Sequence, residues 1–271
     1  MLRDFDEKGV PDQPQRREAG RLTTVAGPSP YDTIAELYDP WSRSVKEDVG
    51  FYVKEARDAG GPVVELGVGT GRIAIPIAWA GIQVIGVDSS GEMLAACARA
   101  AEKAAVSELL DLRFGDLRDP PVDERVSLVI CPFRAYLHMA DDAERVEALE
   151  AARELLVPGG RLIFDVFEPT EDDIADTHAR WLEREPEIYE RADWDTDTRT
   201  LTLSVRGPQG AATMTLSWTS HPEWQRLLEE TGFEVDACYG WFDRRPYRDG
   251  EDMVFVSKRD PLPRGVERVD V

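Results

Sequence analysis

The sequence predicts an α/β fold: a mostly parallel sheet with helices on both faces and a small antiparallel β insertion standing over it as a lid. Three observations carry that expectation. From Pro62 to Phe167, short apolar runs alternate with helical patterns, the signature of strands buried on both faces by crossover helices. The stretch VVELGVGTGR, Val63 to Arg72, sets three alternating glycines between a strand and a helix, where bare backbone lets a ligand approach. After about Ile188 the pattern changes to short alternating runs with a GPQG turn, which marks antiparallel strands.

Structure is expected to begin at YDTIAELYDPW, Tyr31 to Trp41, where Ile34, Leu37 and Tyr38 recur with helical spacing. A second helix, around Val45 to Ala59, runs into the stop signal Gly60-Gly61-Pro62. PVVEL is the first strand, and GRIAIPIAWAG a helix that starts on the last glycine and stops at Gly81. IQVIGVD is a strand ending at Asp88, followed by an alanine-rich helix with Ser89 or Ser90 as its N-cap. DLRFGD and SLVICPF are the third and fourth strands, the latter running to Phe133. DDAERVEALEAARELL is an amphipathic helix closed by Pro158-Gly159-Gly160, and RLIFDVF the fifth strand. IYERADW, RTLTLSVR and AATMTLSWT form a three-stranded insertion, HPEWQRLLEETG a helix, and FEVDACYGW and EDMVFVSKRD a closing strand pair. Residues 1–30 read as a loose arm, 31–258 as the domain with its insertion at about 185–220, and 259–271 as a tail.

Bulk properties narrow the class. A chain of 271 residues can bury a continuous core. With 32 Lys+Arg against 53 Asp+Glu, the net charge of -21 repels phosphate backbones, so nucleic acid is not an expected partner. Cys97, Cys131 and Cys238 are odd in number and scattered, which argues against a disulfide framework or a metal site and for a reducing compartment. No apolar run approaches about 18 residues, and the N-terminus is charged and lacks an apolar leader core. A cytoplasmic protein with no membrane partner is the expectation.

Three readings of the glycine stretch compete. A phosphate-cradling loop needs Lys and then Ser or Thr after the last glycine; Arg72 and Ile73 stand there instead. The dinucleotide fingerprint is satisfied by Gly69-Thr-Gly71-Arg-Ile-Ala74, with Asp88 ending the next strand where an acid binds ribose hydroxyls. The third reading is another adenosine ligand, one that carries a cation. Glu65, two residues before the first glycine, would repel a pyrophosphate and suit an ammonium group. Asp116, after the third strand, can accept from an adenine amino group while Leu117 offers its N–H. The chain also ends in a helix and two antiparallel strands instead of a second mononucleotide half.

VVELGVGTGR, GVDSS, FGDL and LLVPGGRLIFDV, in that order, resemble the class I S-adenosylmethionine-dependent methyltransferases over about Tyr31 to Lys258. The resemblance implies a Rossmann-like seven-stranded sheet, mostly parallel, with an antiparallel last strand inserted beside the fifth. It implies S-adenosylmethionine as cofactor. Glu65, Gly67, Gly69 and Gly71 would hold the methionine end, and Asp88 the ribose. Ser89 and Met93 would lie against the adenine, and Asp116 and Leu117 would hold its amino edge. An N-terminal tyrosine that closes over the cofactor is matched by Tyr38. The activity implied is methyl transfer to O, N or C of a small metabolite by in-line displacement.

The segment after the fourth strand, CPFRAYLHM, borders the reacting carbon in an open α/β sheet. Phe133, Arg134, Tyr136 and His138 are the candidates there: Phe133 beside the cofactor, Arg134 and Tyr136 for the acceptor, and His138 as a general base. The insertion contributes Trp194 and Trp218, which read equally as acceptor-pocket walls or as a homodimer surface. Rival readings are a methyltransferase for a protein acceptor and a nicotinamide-dependent oxidoreductase.

Overall fold

A computed structural model describes residues 29–248, 250 and 252–260 of the chain. The arm expected over residues 1–30 and the tail over 259–271 lie outside the described residues, apart from Ser29, Pro30, Arg259 and Asp260.

A short 3-10 turn, Pro30–Thr33, leads into α1 (Ala35–Trp41) and then α2 (Glu47–Ala59), which ends on Gly60 in the left-handed conformation. The alternating core follows: β1 (Val63–Leu66), α3 (Ala74–Trp79), β2 (Val84–Asp88), α4 (Gly91–Lys103), β3 (Leu110–Phe114), β4 (Val126–Cys131), α5 (Asp142–Glu154) and β5 (Leu156–Phe167). Ser90, of the two serines considered, caps α4: its hydroxyl accepts the Met93 N–H at 3.1 Å. Pro158-Gly159-Gly160 lies inside β5, where the register against β4 shifts, because helix α5 already stops at Glu154.

Beyond β5 come α6 (Glu171–Thr177), β6 (Trp181–Glu185), β7 (Ile188–Asp195), β8 (Thr200–Gly207) and β9 (Gly210–Ser217). The insertion is therefore a four-stranded antiparallel sheet, β6-β7-β8-β9, one strand more than the sequence suggested. WLERE, which forms β6, carries three charged residues among its five and lacks the apolar alternation by which strands are recognised. The chain closes with α7 (His221–Glu230), β10 (Phe233–Tyr239) and β11 (Asp252–Arg259).

The main sheet has seven strands in the order β10-β11-β5-β4-β1-β2-β3, and β11 alone runs antiparallel to its neighbours. Consecutive residues point to opposite faces, and both faces are covered. Val64, Val129, Phe164 and Phe255 pack on one side with Trp224 of α7. Val63, Leu128, Ile163 and Val254 pack on the other with Phe51 and Tyr52 of α2.

The smaller sheet is tied to the N-terminal segment. Ile34 and Leu37, fully buried, pack with Ile188, Val205 and Met214. Burial of each such side chain is worth about 1.5–3 kcal/mol. The Trp41 indole donates to Glu190 at 3.0 Å, and the Thr33 hydroxyl to the Ala211 carbonyl at 3.2 Å. Among the described residues no helix is long and apolar enough to cross a membrane.

Candidate active site

The carboxyl ends of β1, β2 and β3 open on a cavity of about 380 Å³. Tyr38, Gly67, Gly69, Asp88, Ser89, Met93, Asp116, Leu117, Phe133 and His138 line it. These are most of the residues that the sequence proposed for the adenosine ligand, brought together from five segments. Gly69 has φ +55, and a Cβ there would meet only the Tyr38 ring, at 3.9 Å. Gly71 (φ +87) does something else: a Cβ there would lie 2.6 Å from the Cys97 Sγ, so this glycine lets the loop pack on α4 and does not face the cavity.

Asp88 ties the loop to the next helix. Its carboxylate accepts the Gly69 N–H and the Ser90 N–H, each at 2.8 Å, and burial pushes its carboxyl up from the ordinary carboxylate value, making it a weaker acid. Four lone-pair positions and two bonds leave it acceptor capacity toward the cavity. Asp116 is gripped by Arg118 through the backbone N–H and the guanidinium at 2.7–2.9 Å, which holds its carboxyl below the usual range. Glu65 does not reach the cavity wall. It is buried behind the loop, its Oε2 has no hydrogen-bond partner, and desolvation pushes its carboxyl well up.

A second chamber of about 720 Å³ lies between the main sheet and the inserted one. It shares Tyr31, Phe133 and His138 with the first. Trp41, Trp194, Trp241 and Phe242 give it aromatic walls, and Arg134 reaches it while bound to Asp252 at 2.8 Å and stacked over Phe167. Trp218 stands behind Trp194, ring centroids 5.4 Å apart, and does not line the chamber. Tyr136 is placed away from both spaces, in the core between Phe164 and Trp224.

The wall between the chambers is a strained turn. Strand β4 stops at Cys131, short of the expected Phe133, because Phe133 (φ 56) and Arg134 (φ 63) both adopt the left-handed conformation. Such residues cost about 1–3 kcal/mol each and persist only when neighbours hold them. Asp165, the buried acid near the end of β5, holds these two: it accepts the Phe133 N–H at 2.8 Å and the Arg134 N–H at 3.1 Å. It also accepts the Tyr52 hydroxyl at 2.7 Å. Arg72 lies 4.6 Å over the Phe133 ring and forks onto the buried Asp48 at 2.7 and 2.8 Å.

Three rings crowd the junction: Tyr31 and Phe133 both lie edge-on to Tyr38, at 5.9 and 6.2 Å. The Tyr31 hydroxyl is 2.9 Å from His138 Nε2. Desolvation lowers the basicity of His138 to about 4, so its ring is neutral at physiological pH.

Comparison with known proteins gives this geometry a family. Residues 63–160 match a family described as a methyltransferase domain. The cypemycin N-terminal methyltransferase of a Streptomyces species is 27% identical over 252 residues, covering 87% of this chain and all of the relative. The chain is a class I S-adenosylmethionine-dependent methyltransferase. The glycine/sarcosine N-methyltransferase of Aphanothece halophytica is 25% identical, covering 81% of the methyltransferase and 84% of that relative. Among solved structures, the CcbJ methyltransferase of Streptomyces caelestis superposes with a TM-score of 0.77 at 25% identity, covering 86% of this chain and 98% of its own.

The residues present in the methyltransferase fit that cofactor. The orphaned, buried Glu65 carboxyl lies behind a loop that would receive a cationic methionine end, and a side chain at Gly69 would project into open space. Sequence reasoning missed Asp48, Tyr52 and Asp165. Asp165 had a signal, an acid inside the apolar run RLIFDVF; Asp48 sits in an ordinary helical pattern and had none.

Proposed function

We propose that this methyltransferase transfers a methyl group to an amine nitrogen of a small molecule held in the 720 Å³ chamber. The observation that carries the reading is the juxtaposition of two chambers at Tyr31, Phe133 and His138, one formed by adenosine-binding candidates and one walled by aromatic rings. Bound in the smaller chamber, S-adenosylmethionine would supply an electrophilic methyl group on a sulfonium. Asp88 would bind its ribose hydroxyls, and Met93 and Leu117 would flank the adenine, with Asp116 and Ser89 at the rim. The backbone of Gly67 and Gly69 would face the methionine end, with the Glu65 carboxyl behind the loop. Tyr38 and Phe133 would offer ring faces to the sulfonium, a contact worth about 0.5–2 kcal/mol.

Nitrogen is favoured over oxygen or carbon by the names of two relatives, one for an amino terminus and one for glycine and sarcosine. The chain's own contribution is orientation and exclusion of water, which can supply about 7–11 kcal/mol of a displacement barrier. A neutral His138 suits hydrogen-bonding the acceptor or aligning Tyr31 better than storing a proton. The inserted sheet would act as the lid and set acceptor choice through Trp194.

Calorimetric titration with S-adenosylhomocysteine, followed by an amine panel scored for its release from S-adenosylmethionine, tests the reading. Micromolar binding and turnover on amines are expected. Tight binding of NADH with none of S-adenosylhomocysteine would overturn it.

A further inference from the structure

Asp165 braces the turn between the chambers, yet it also stands on the wall of the larger one. Its Oδ1 takes two hydrogen bonds, from Tyr52 and Phe133, whereas Oδ2 takes a single longer one from Arg134, at 3.1 Å. Oδ2 therefore keeps acceptor capacity. The arginines along the chamber are committed elsewhere: Arg134 to Asp252, Arg184 to Glu190 at 3.8 Å, and Arg245 to Asp243 at 3.4 Å. Among the described residues the lining holds six carboxylates and three guanidiniums, so the chamber is electronegative around Asp165.

Resting on the methyl-transfer reading above, we infer that Asp165 selects a cationic, phosphate-free amine as acceptor by docking its ammonium on Oδ2 and taking its proton. The N–H bond breaks, the proton passes to the carboxylate, and the nitrogen keeps the electron pair. The nitrogen then forms the N–C bond while the donor's C–S bond breaks, sulfur retaining that pair. An acceptor bearing phosphate meets surplus carboxylates and, among the described lining residues, no guanidinium without an acid at its side.

Burial pushes Asp165 up to about 6, so the docking carboxylate forms above that pH. The charged and titratable groups facing it are Asp48 and Tyr52 of α2, Arg72 of the glycine loop, and Cys131 and Arg134 at the end of β4. Asp48 adds to the rise, while Tyr52 and Arg134 oppose it.

The test uses the full chain loaded with S-adenosylhomocysteine, whose binding is measured first. Tyramine against 4-hydroxyphenethyl alcohol, and glucosamine against glucose and against glucosamine 6-phosphate, are then titrated at pH 8. Each free amine should bind at least about tenfold tighter than its neutral or phosphorylated counterpart, as a charge-assisted hydrogen bond requires. In Asp165→Asn that preference should shrink to about threefold or less, with the affinity for S-adenosylhomocysteine kept. A bracing role alone would weaken both members of a pair alike and leave their ratio intact. In the wild type, which needs no variant to fold, the preference for tyramine should also fade as pH drops below about 6. Wild-type protein that binds the pairs alike, or not at all, overturns the inference, as does a preference that survives in Asp165→Asn. Failure to bind S-adenosylhomocysteine takes the methyl-transfer reading and this inference with it.

Discussion

The hydroxyl of Tyr31 meets Nε2 of His138 at 2.9 Å, joining the N-terminal 3-10 turn to the segment after β4 across 107 residues of sequence. Both side chains border both chambers. Tyr31→Phe and His138→Ala should each lower kcat about tenfold, a loss of about 1.4 kcal/mol, while affinity for S-adenosylhomocysteine changes little. The double variant should be no worse than either single one, because residues that share one bond are not additive. Losses that multiply would show that the pair does not act as a unit.

Two glycines two residues apart should fail differently. Gly69→Ala points its methyl into the smaller chamber and should cost cofactor affinity at least about tenfold, with a stability loss of about 1–2 kcal/mol for the left-handed backbone. Gly71→Ala drives a methyl to 2.6 Å from the Cys97 Sγ and should add an overpacking cost of about 1–3 kcal/mol to a similar backbone cost. Thermal unfolding and calorimetry on both variants check this; equal melting temperatures would refute the distinction.

Asp88→Ala should weaken cofactor binding by about 1–3 kcal/mol, the usual effect of losing hydrogen bonds to a charged group. It also frees the Gly69 and Ser90 N–H groups, so its melting temperature should fall as well. Unchanged affinity would mean that the ribose is held elsewhere.

The Arg72–Asp48 pair should behave as a buried ion pair. Arg72→Met strands Asp48, which is 1% exposed, and should cost about 3–5 kcal/mol. Replacing both partners, Arg72→Met with Asp48→Leu, should recover most of that loss. Urea titrations of the four proteins supply the cycle.

The buried carboxyl of Asp165 also makes a pH prediction. Its folded value of about 6 is raised above the ordinary carboxylate value, so the folded state binds its proton more tightly than the unfolded chain does. The resulting stabilisation is fully present below about pH 4 and is lost as pH rises to about 6. A rise of about two units corresponds to about 3 kcal/mol. The stability difference between wild type and Asp165→Asn should therefore move toward the wild type by about that amount between pH 7 and pH 4. A difference that stays flat over this range contradicts the assignment.

The main sheet was legible because its strands are apolar runs bounded by Gly and Pro, and the smaller chamber because its residues fall at strand ends, where topology alone places them. Asp88 after IQVIGV is such a case. The larger chamber was not legible. Trp194 lines it while Trp218 lies behind, a difference set by how the inserted sheet leans and not by residue type. The turn at Phe133 and Arg134 runs against local preference, since neither residue favours positive φ. Only the distant Asp165 explains it, and no short-range pattern reports a contact made 31 or 32 residues away.

Tyr31, Phe133 and His138 form a party wall with a tenant on either side. A smaller residue at Phe133 that makes room for a bulkier guest on one side removes footing from the neighbour on the other. Broadening what this catalyst accepts by way of Phe133 will thus be read out first as a looser hold on its methyl donor, whereas changes at residues that touch the acceptor space alone, such as Trp194, leave that hold intact.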